Sequence, residues 1–224
     1  MRPRLAIDGP VSAGKSTIAR LVAQRLGFTY IDTGAMYRAF AWAAQLSGLT
    51  AAQPEEAVKL LATLAIQLLP RHEGGNQVLV DGVDITDEIR TPEIGQLASQ
   101  LSEIPAVRGR MVALQQEMAR DGGVVMEGRD IQTVVLPDAE VKIFLIAPAE
   151  ERARRRCLEL QQRGLICDLD SVLAELQQRD LRDSTRAHSP LKAAPDAITV
   201  DTGGLTIEQV VARVIAVVHD KTTA

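Results

Sequence analysis

Eight residues near the start of the chain, "GPVSAGKS" (Gly9–Ser16), follow the pattern G-x-x-x-x-G-K-[ST]. The glycines let the backbone curl until its N–H groups point inward at phosphate oxygens. A helix opening near Lys15 adds the positive end of its dipole. Lys15 then reaches the β- and γ-phosphates, and the Ser16 hydroxyl is placed to ligate Mg²⁺. The pattern predicts a nucleoside triphosphate held by Gly9, Pro10, Val11, Ser12, Ala13, Gly14, Lys15, Ser16 and Thr17. It does not say what receives a phosphate. No N-K-x-D stretch, which would select guanine, occurs in the sequence.

Further clusters carry charge at strand ends or on helices. "IDTGAMYRAF" offers Asp32, Thr33, Tyr37 and Arg38, and "MEGRDIQTVV" offers Glu127, Arg129 and Asp130. "ASQLSEIPAVRGR" adds Ser99 and Arg108, while "EERARRR" and "RDLRDSTR" supply more arginines. If "RDLRDSTR" is helical, Arg179, Arg182 and Arg186 fall within about 60° of one another around the axis. Such a row is either a solvated, salt-bridged face or a clamp for a polyanion. Asp183 is spaced to pair with Arg179 or Arg186. The histidines, His72, His188 and His219, match no catalytic or metal spacing and read as ordinary residues.

These groups need a scaffold. "RLAID", "FTYID", "VVME", "VKIFLI" and "AITVD" are apolar runs suited to strands buried on both faces of a parallel sheet. Between them lie helical periods. Ile18, Leu21, Val22 and Leu26 share one face ahead of a stop at Gly27. Val107, Met111, Leu114 and Met118 share another, and Ile207, Val210, Val211, Val214 and Val218 a third. Pro54 opens "PEEAVKLLATL", "TPEIGQLASQLSEI" and "PAVRGRMVALQQEM" open on prolines of their own, and a helical pair fills roughly 150–186. "NQVLVDGVDIT" turns about Asp81-Gly82 as a hairpin. The expected fold is α/β: a five-stranded parallel sheet flanked by helices, with a hairpin-bearing lobe inserted between its second and third strands.

Composition narrows the partners. The 224 residues suffice for one such domain, with 46% hydrophobic and 24% charged residues. A formal net charge of -4 gives no bulk attraction to nucleic acid or anionic membranes, so an anion site must be a local cluster. The N-terminal stretch lacks a signal-peptide apolar core, and no apolar run is long enough for a span. Cys157 and Cys167 match no metal spacing and read as reduced thiols of a cytoplasmic protein.

Together these stretches resemble the bacterial cytidylate (CMP/dCMP) kinases of the nucleoside monophosphate kinase group. "IDGPVSAGKST", "YIDTGAMYRA", "DITDEIRTPEI", "ASQLSEIPAVR", "VMEGRDIQTVVLPDA", "VKIFLIA" and "RDLRDSTRAHSPL" carry the likeness in the family's order. The resemblance implies ATP-dependent phosphorylation of CMP and dCMP by a monomer, with Mg²⁺. It implies a P-loop core (about 1–35, 105–150 and 187–224), an acceptor-binding insert (about 36–104) and a lid (about 151–186). It also implies roles. Arg38, Arg129 and Arg186 would hold the acceptor phosphate, and Arg179 and Asp183 its ribose. Ser99, Arg108 and Asp130 would read cytosine, with Thr33 and Tyr37 nearby. Arg155 and Arg156 would belong to a lid over ATP, and Arg182 would face the transferring phosphoryl. Asp32, with Glu127, would hold Mg²⁺ through water. Gln132 stands where the family commonly has glycine, and Ile146 where several members are polar.

The chemistry is consistent with these roles. Asp130 can accept from the cytosine N4 amine, whereas uracil would set acceptor against acceptor. A phosphate monoester, with its second pKa near about 6, needs no general base. Two readings stay open beside this one: a P-loop kinase for another small acceptor such as UMP, and a nucleotide-binding module without turnover.

Overall fold

The computed structural model describes residues 2–71 and 74–223; His72 lies outside them. Strand β1 (Arg2–Asp8) ends at the phosphate loop, and helix α1 (Lys15–Leu26) follows it. Leu5, Ala6 and Ile7 are at most 1% exposed, as an unbroken apolar run at a sheet centre requires. Ile18, Ala19, Val22 and Ala23 form the buried stripe of α1, and Gly27 (φ 63°) stops the helix in the left-handed region. Strand β2 (Thr29–Asp32) leads directly into α2 (Thr33–Leu46).

An excursion then precedes the next strand of the main sheet. It comprises α3 (Pro54–Thr63), β3 (Ile66–Pro70), β4 (Asn76–Val80), β5 (Val83–Asp84) and α4 (Pro92–Leu101). The three strands form an antiparallel sheet in the order β3-β4-β5, turning at Asp81 (φ 50°) and Gly82 (φ 82°). The hairpin β4–β5 was expected; β3 was not. Its residues continue the apolar run of α3, and only pairing with β4, from Ile66 opposite Val80 to Pro70 opposite Asn76, makes them a strand.

The chain returns through α5 (Pro105–Met118) to β6 (Gly122–Gly128). Next come β7 (Val141–Ile146), the helical pair α6 (Ala149–Gln162) and α7 (Leu169–Thr185), then β8 (Ile198–Asp201) and α8 (Ile207–Thr223). The main sheet is parallel throughout, in the order β2-β6-β1-β7-β8. Its apolar filling is continuous from α1 through β1 and β7 to α8. A second core surrounds Met36, Phe40, Leu61, Ile89 and Met111, packing the excursion on α2 and α5. Placing β6 between β2 and β1 brings the carboxyl ends of all three together, and ligands of open α/β sheets bind at such ends. No helix among the described residues is long and apolar enough to cross a membrane.

Three expectations are corrected here. Cys157 and Cys167 are not separate thiols. They form a disulfide, with 5.4 Å between their Cα atoms, beside the small cluster of Ala153, Val172 and Leu176. The turn between α6 and α7 folds Cys167 back over α6, a proximity that sequence spacing does not reveal. Second, Arg186 does not ride on α7. It caps the helix in extended conformation (φ -59°, ψ 142°), so the arginine row bends at its end. Third, Asp183 gives its ion pair to Arg129, not to Arg179 or Arg186.

Candidate active site

The phosphate loop needs its glycines. Gly9 adopts φ 153°, and a Cβ there would collide with the Leu145 carbonyl of β7; Gly14 adopts φ 91° at the start of α1. Lys15 is buried and donates from Nζ to the Pro10 carbonyl at 2.7 Å, folded back along the loop. Burial and the nearby Arg129 guanidinium push its ammonium down to about 7. A triphosphate is the natural compensation for a cation held in this way.

Facing the loop, β2 and β6 deliver carboxylates. Asp32 caps α2, accepting from Ala35 N–H at 2.8 Å, and its other oxygen lies 3.0 Å from Arg38 Nη2. Glu127 accepts from the Tyr30 hydroxyl at 2.7 Å. Burial and then Asp32 push the Glu127 carboxyl up, while Lys15 and a hydrogen bond with Ser16 oppose the shift. Thr33 donates to the Glu127 carbonyl at 2.7 Å, which fixes the first turn of α2 against β6.

The residues after β6 face α7 and α5. Arg129 Nε donates to Asp183 Oδ2 of α7 at 2.9 Å. Asp130 is ion-paired with Arg108 of α5, and its other oxygen lies 3.8 Å from Arg186 Nη2. The Arg108 guanidinium also stands 5.7 Å from the centre of the Tyr37 ring. Arg182 donates to Ser99 Oγ at 3.2 Å and approaches Glu103, so it rests on α4 and the segment beyond it. Arg179 Nε and Arg186 Nη2 are buried without a hydrogen-bond partner. Burial, and then Arg129, lowers the Arg179 guanidinium to about 10.

These groups line one cleft of about 770 Å³, whose walls bear more Lys and Arg than Asp and Glu although the chain is net negative. Of the residues singled out from the sequence, Val11, Ser12, Lys15, Ser16 and Thr17 meet Asp32, Thr33, Tyr37 and Arg38 there. Ser99, Arg108, Arg129, Asp130, Arg156, Arg179, Arg182, Asp183 and Arg186 complete the wall. Gly9, Pro10, Ala13, Gly14 and Arg155 do not line it. The first four build the loop from behind. Arg155 reaches the Thr202 hydroxyl at 2.9 Å and the Thr202 carbonyl at 2.8 Å, close behind Gly14.

Four residues have supporting roles that the sequence did not assign. Asp8 accepts from the N–H groups of Ile131 (3.1 Å) and Gln132 (2.8 Å) and so anchors the turn after Asp130. Asn76 of β4 accepts from Asp32 N–H and donates to the Tyr30 carbonyl, tying the small sheet to the end of β2. Arg152 donates to the Val11 carbonyl at 3.1 Å and pairs with Asp180 at 2.7 Å, locking α6 between the loop and α7. Gln132 is the fourth. Only Arg152 lay in a quoted charge run, and nothing local set it apart from its neighbours.

Comparison with known proteins agrees over nearly the whole chain. A family profile described as cytidylate kinase matches residues 5–220. A cytidylate kinase of Pelotomaculum thermopropionicum is 51% identical over 214 residues, covering 96% of this chain and 95% of its own. One of Desulfitobacterium hafniense is 49% identical, covering 97% and 93%. Among solved structures, an uncharacterized protein of Eubacterium ventriosum superposes with a TM-score of 0.55 at 11% identity, covering 98% of this chain and 99% of its own, which speaks for the fold alone.

Proposed function

Because the chain belongs to the cytidylate kinase family, we propose that it transfers the γ-phosphoryl group of ATP in line to CMP and dCMP, giving CDP and dCDP. The observation that carries this reading is two buried guanidinium nitrogens without a hydrogen-bond partner, Arg179 Nε and Arg186 Nη2, the second of them beside Asp130. Unpartnered buried donors are costly. An acceptor phosphate and sugar supply the missing acceptors, and Asp130 beside Arg108 supplies an edge for cytosine.

In this reading the loop Gly9–Thr17 and Lys15 bind the ATP phosphates, with Arg155 and Arg156 of the lid (about 151–186) on the donor side. Arg38, Arg129 and Arg186 hold the acceptor phosphate between core and insert (about 36–104). Arg179 and Asp183 meet the ribose, and Ser99, Arg108 and Asp130 the base, with Thr33 and Tyr37 flanking. The acceptor is already an anion at neutral pH, so catalysis consists of alignment and charge neutralisation by Lys15, Arg129, Arg182 and Arg186. Closure of the lid excludes water, the competing acceptor.

Ser16, Asp32 and Glu127 present oxygen donors beside one another, and the raised Glu127 carboxyl has a reason to welcome a cation. These donors suit Mg²⁺, which takes one or two carboxylates plus phosphates and water; no group of three or more His, Cys, Asp or Glu side chains suited to a metal is formed among the described residues. Bound there, Mg²⁺ supplies charge neutralisation on the triphosphate. The reading extends to a monomer working in the cytoplasm, the setting the family resemblance implies.

A coupled assay of ATP consumption with CMP, dCMP, UMP and AMP tests it. Rapid turnover with CMP and dCMP is expected. Silence with all four leaves a nucleotide-binding module, and equal rates with CMP and UMP remove the base-reading role of Asp130.

A further inference from the structure

Gln132 lies two residues beyond Asp130 and does not line the cleft, yet it is 1% exposed and its amide is fully engaged. That is, each polar atom of the amide has one partner: Nε2 donates to the Ile143 carbonyl of β7 at 3.2 Å. Oε1 accepts from Ala194 N–H at 2.9 Å. The backbone N–H of Gln132 donates to Asp8 at the end of β1. One residue thus joins the strand ahead of the phosphate loop, the neighbouring strand, and the segment running from α7 to β8.

That segment is fastened at its other end to the arginine row. Leu191 N–H donates to the Asp183 carbonyl at 2.7 Å, and Arg186 Nε donates to the Ser189 carbonyl. Residues 186–194 are therefore pinned at α7 on one side and at Gln132 on the other. Within this frame Arg186 Nη2 stops 3.8 Å from Asp130 Oδ1, too far for a hydrogen bond, and stays unpartnered. A guanidinium beside a carboxylate gains most by closing into a bidentate pair. Asp130 is already paired with Arg108, and the Gln132 side chain ties the segment that carries Arg186, through Ala194, to β7 and to the turn after Asp130.

We propose that Gln132 is a positioning residue for the acceptor: it holds Arg186 and Asp130 open to a nucleotide instead of letting them close on each other. The inference rests on the reading of Asp130 and Arg186 as acceptor-facing groups. Gln132→Met keeps the volume and removes both side-chain hydrogen bonds. It should raise KM for CMP about tenfold, the usual scale for leaving buried polar groups unpaired. KM for ATP should change less than twofold. Gln132→Glu is isosteric and can donate to Ile143 only while protonated. Asp8, which is hydrogen-bonded to that residue, and burial oppose its ionisation. Its KM for CMP should therefore match wild type at low pH and climb toward the Gln132→Met value as pH rises, in excess of any wild-type trend.

A merely structural glutamine would reduce the active fraction, lowering apparent kcat with both KM values unchanged. That result, or equal rises in both KM values, overturns the proposal. If Gln132→Met does not fold, the Gln132→Glu profile decides alone, a KM for CMP that tracks wild type across pH counting against. Wild-type enzyme that turns over no CMP overturns the acceptor reading and this proposal with it, whereas turnover of CMP by wild type with unshifted variants overturns the proposal alone.

Discussion

Arg129 Nε donates to Asp183 Oδ2 at 2.9 Å, joining the loop after β6 to helix α7. Both side chains are mostly buried, with exposures of 20% and 9%. Arg129 and then Arg179 hold the Asp183 carboxyl below its ordinary value against the desolvation that would raise it. Removing one partner of such a pair strands the other, at a cost of about 3 kcal/mol. Asp183→Ala should lower Tm by about 6–12 °C, the equivalent for a domain of this size. It should also raise KM for CMP at least tenfold, while Asp183→Asn loses less of both. An Asp183→Ala protein that melts with wild type would show the pair to be solvent-screened and the lid joined by other contacts.

Asp130 sits between Arg108 and Arg186. Its carboxyl oxygens can accept from the N4 amine of cytosine but not from the O4 of uracil. Asp130→Ala should cut the ratio of kcat/KM for CMP over UMP by about 1–3 kcal/mol, or roughly 5- to 150-fold. Because Arg108 loses its partner and Arg186 its neighbouring carboxylate, KM for both nucleotides rises as well. The ratio is the diagnostic quantity: if it holds while both values fall together, Asp130 only positions the arginines.

The sheet was legible because its five strands are apolar runs bounded by turn residues, and the phosphate loop because its chemistry is local. The arginine cleft was legible only as a set of clusters, since nothing in the spacing of Arg129 and Asp183 says that they meet. Strand β3 was hidden because "AIQLLP" suits a helix or a strand equally, and its partner across the turn decides. The supporting shell was the least readable part. Asp8, Asn76 and Gln132 act through backbone groups far away in sequence, and a side chain that accepts from a distant N–H carries no local signature.

Burial pushes the Asp8 carboxyl up to about 6 from its ordinary 3.8. Below about pH 4 it is neutral in folded and unfolded chains alike. Between about 4 and 6 the unfolded chain has lost the proton that the folded chain keeps. Stability from this group is therefore complete at low pH and is lost as pH rises through that window, by up to about 3 kcal/mol for a shift of this size. Asp8→Asn has no such proton, and its amide faces one of the two N–H groups, so it should be less stable throughout. Urea unfolding from pH 4 to 7 should give wild-type and Asp8→Asn curves that converge as pH rises. Curves that stay parallel would place the titration elsewhere.

The Cys157–Cys167 disulfide closes a sequence separation of 10 residues around the turn between α6 and α7. In the chain-entropy account a loop of this length is worth about 3 kcal/mol. The cluster it borders is small, built on Ala153, Val172 and Leu176, and shares no buried residue with the main core. The stabilisation should accordingly be local. Reduction, or Cys167→Ser, should lower hydrogen-exchange protection across residues 149–185 by up to about a hundredfold. Protection in β1, β6 and β7 should hardly change. KM for ATP should rise with the loosened lid, because Arg152 and Arg155 lie on the same hairpin and reach Val11 and Thr202. Alkylation of air-equilibrated protein without reductant provides the direct check: uptake of two equivalents would show both thiols free, and reductant would then leave lid exchange unchanged.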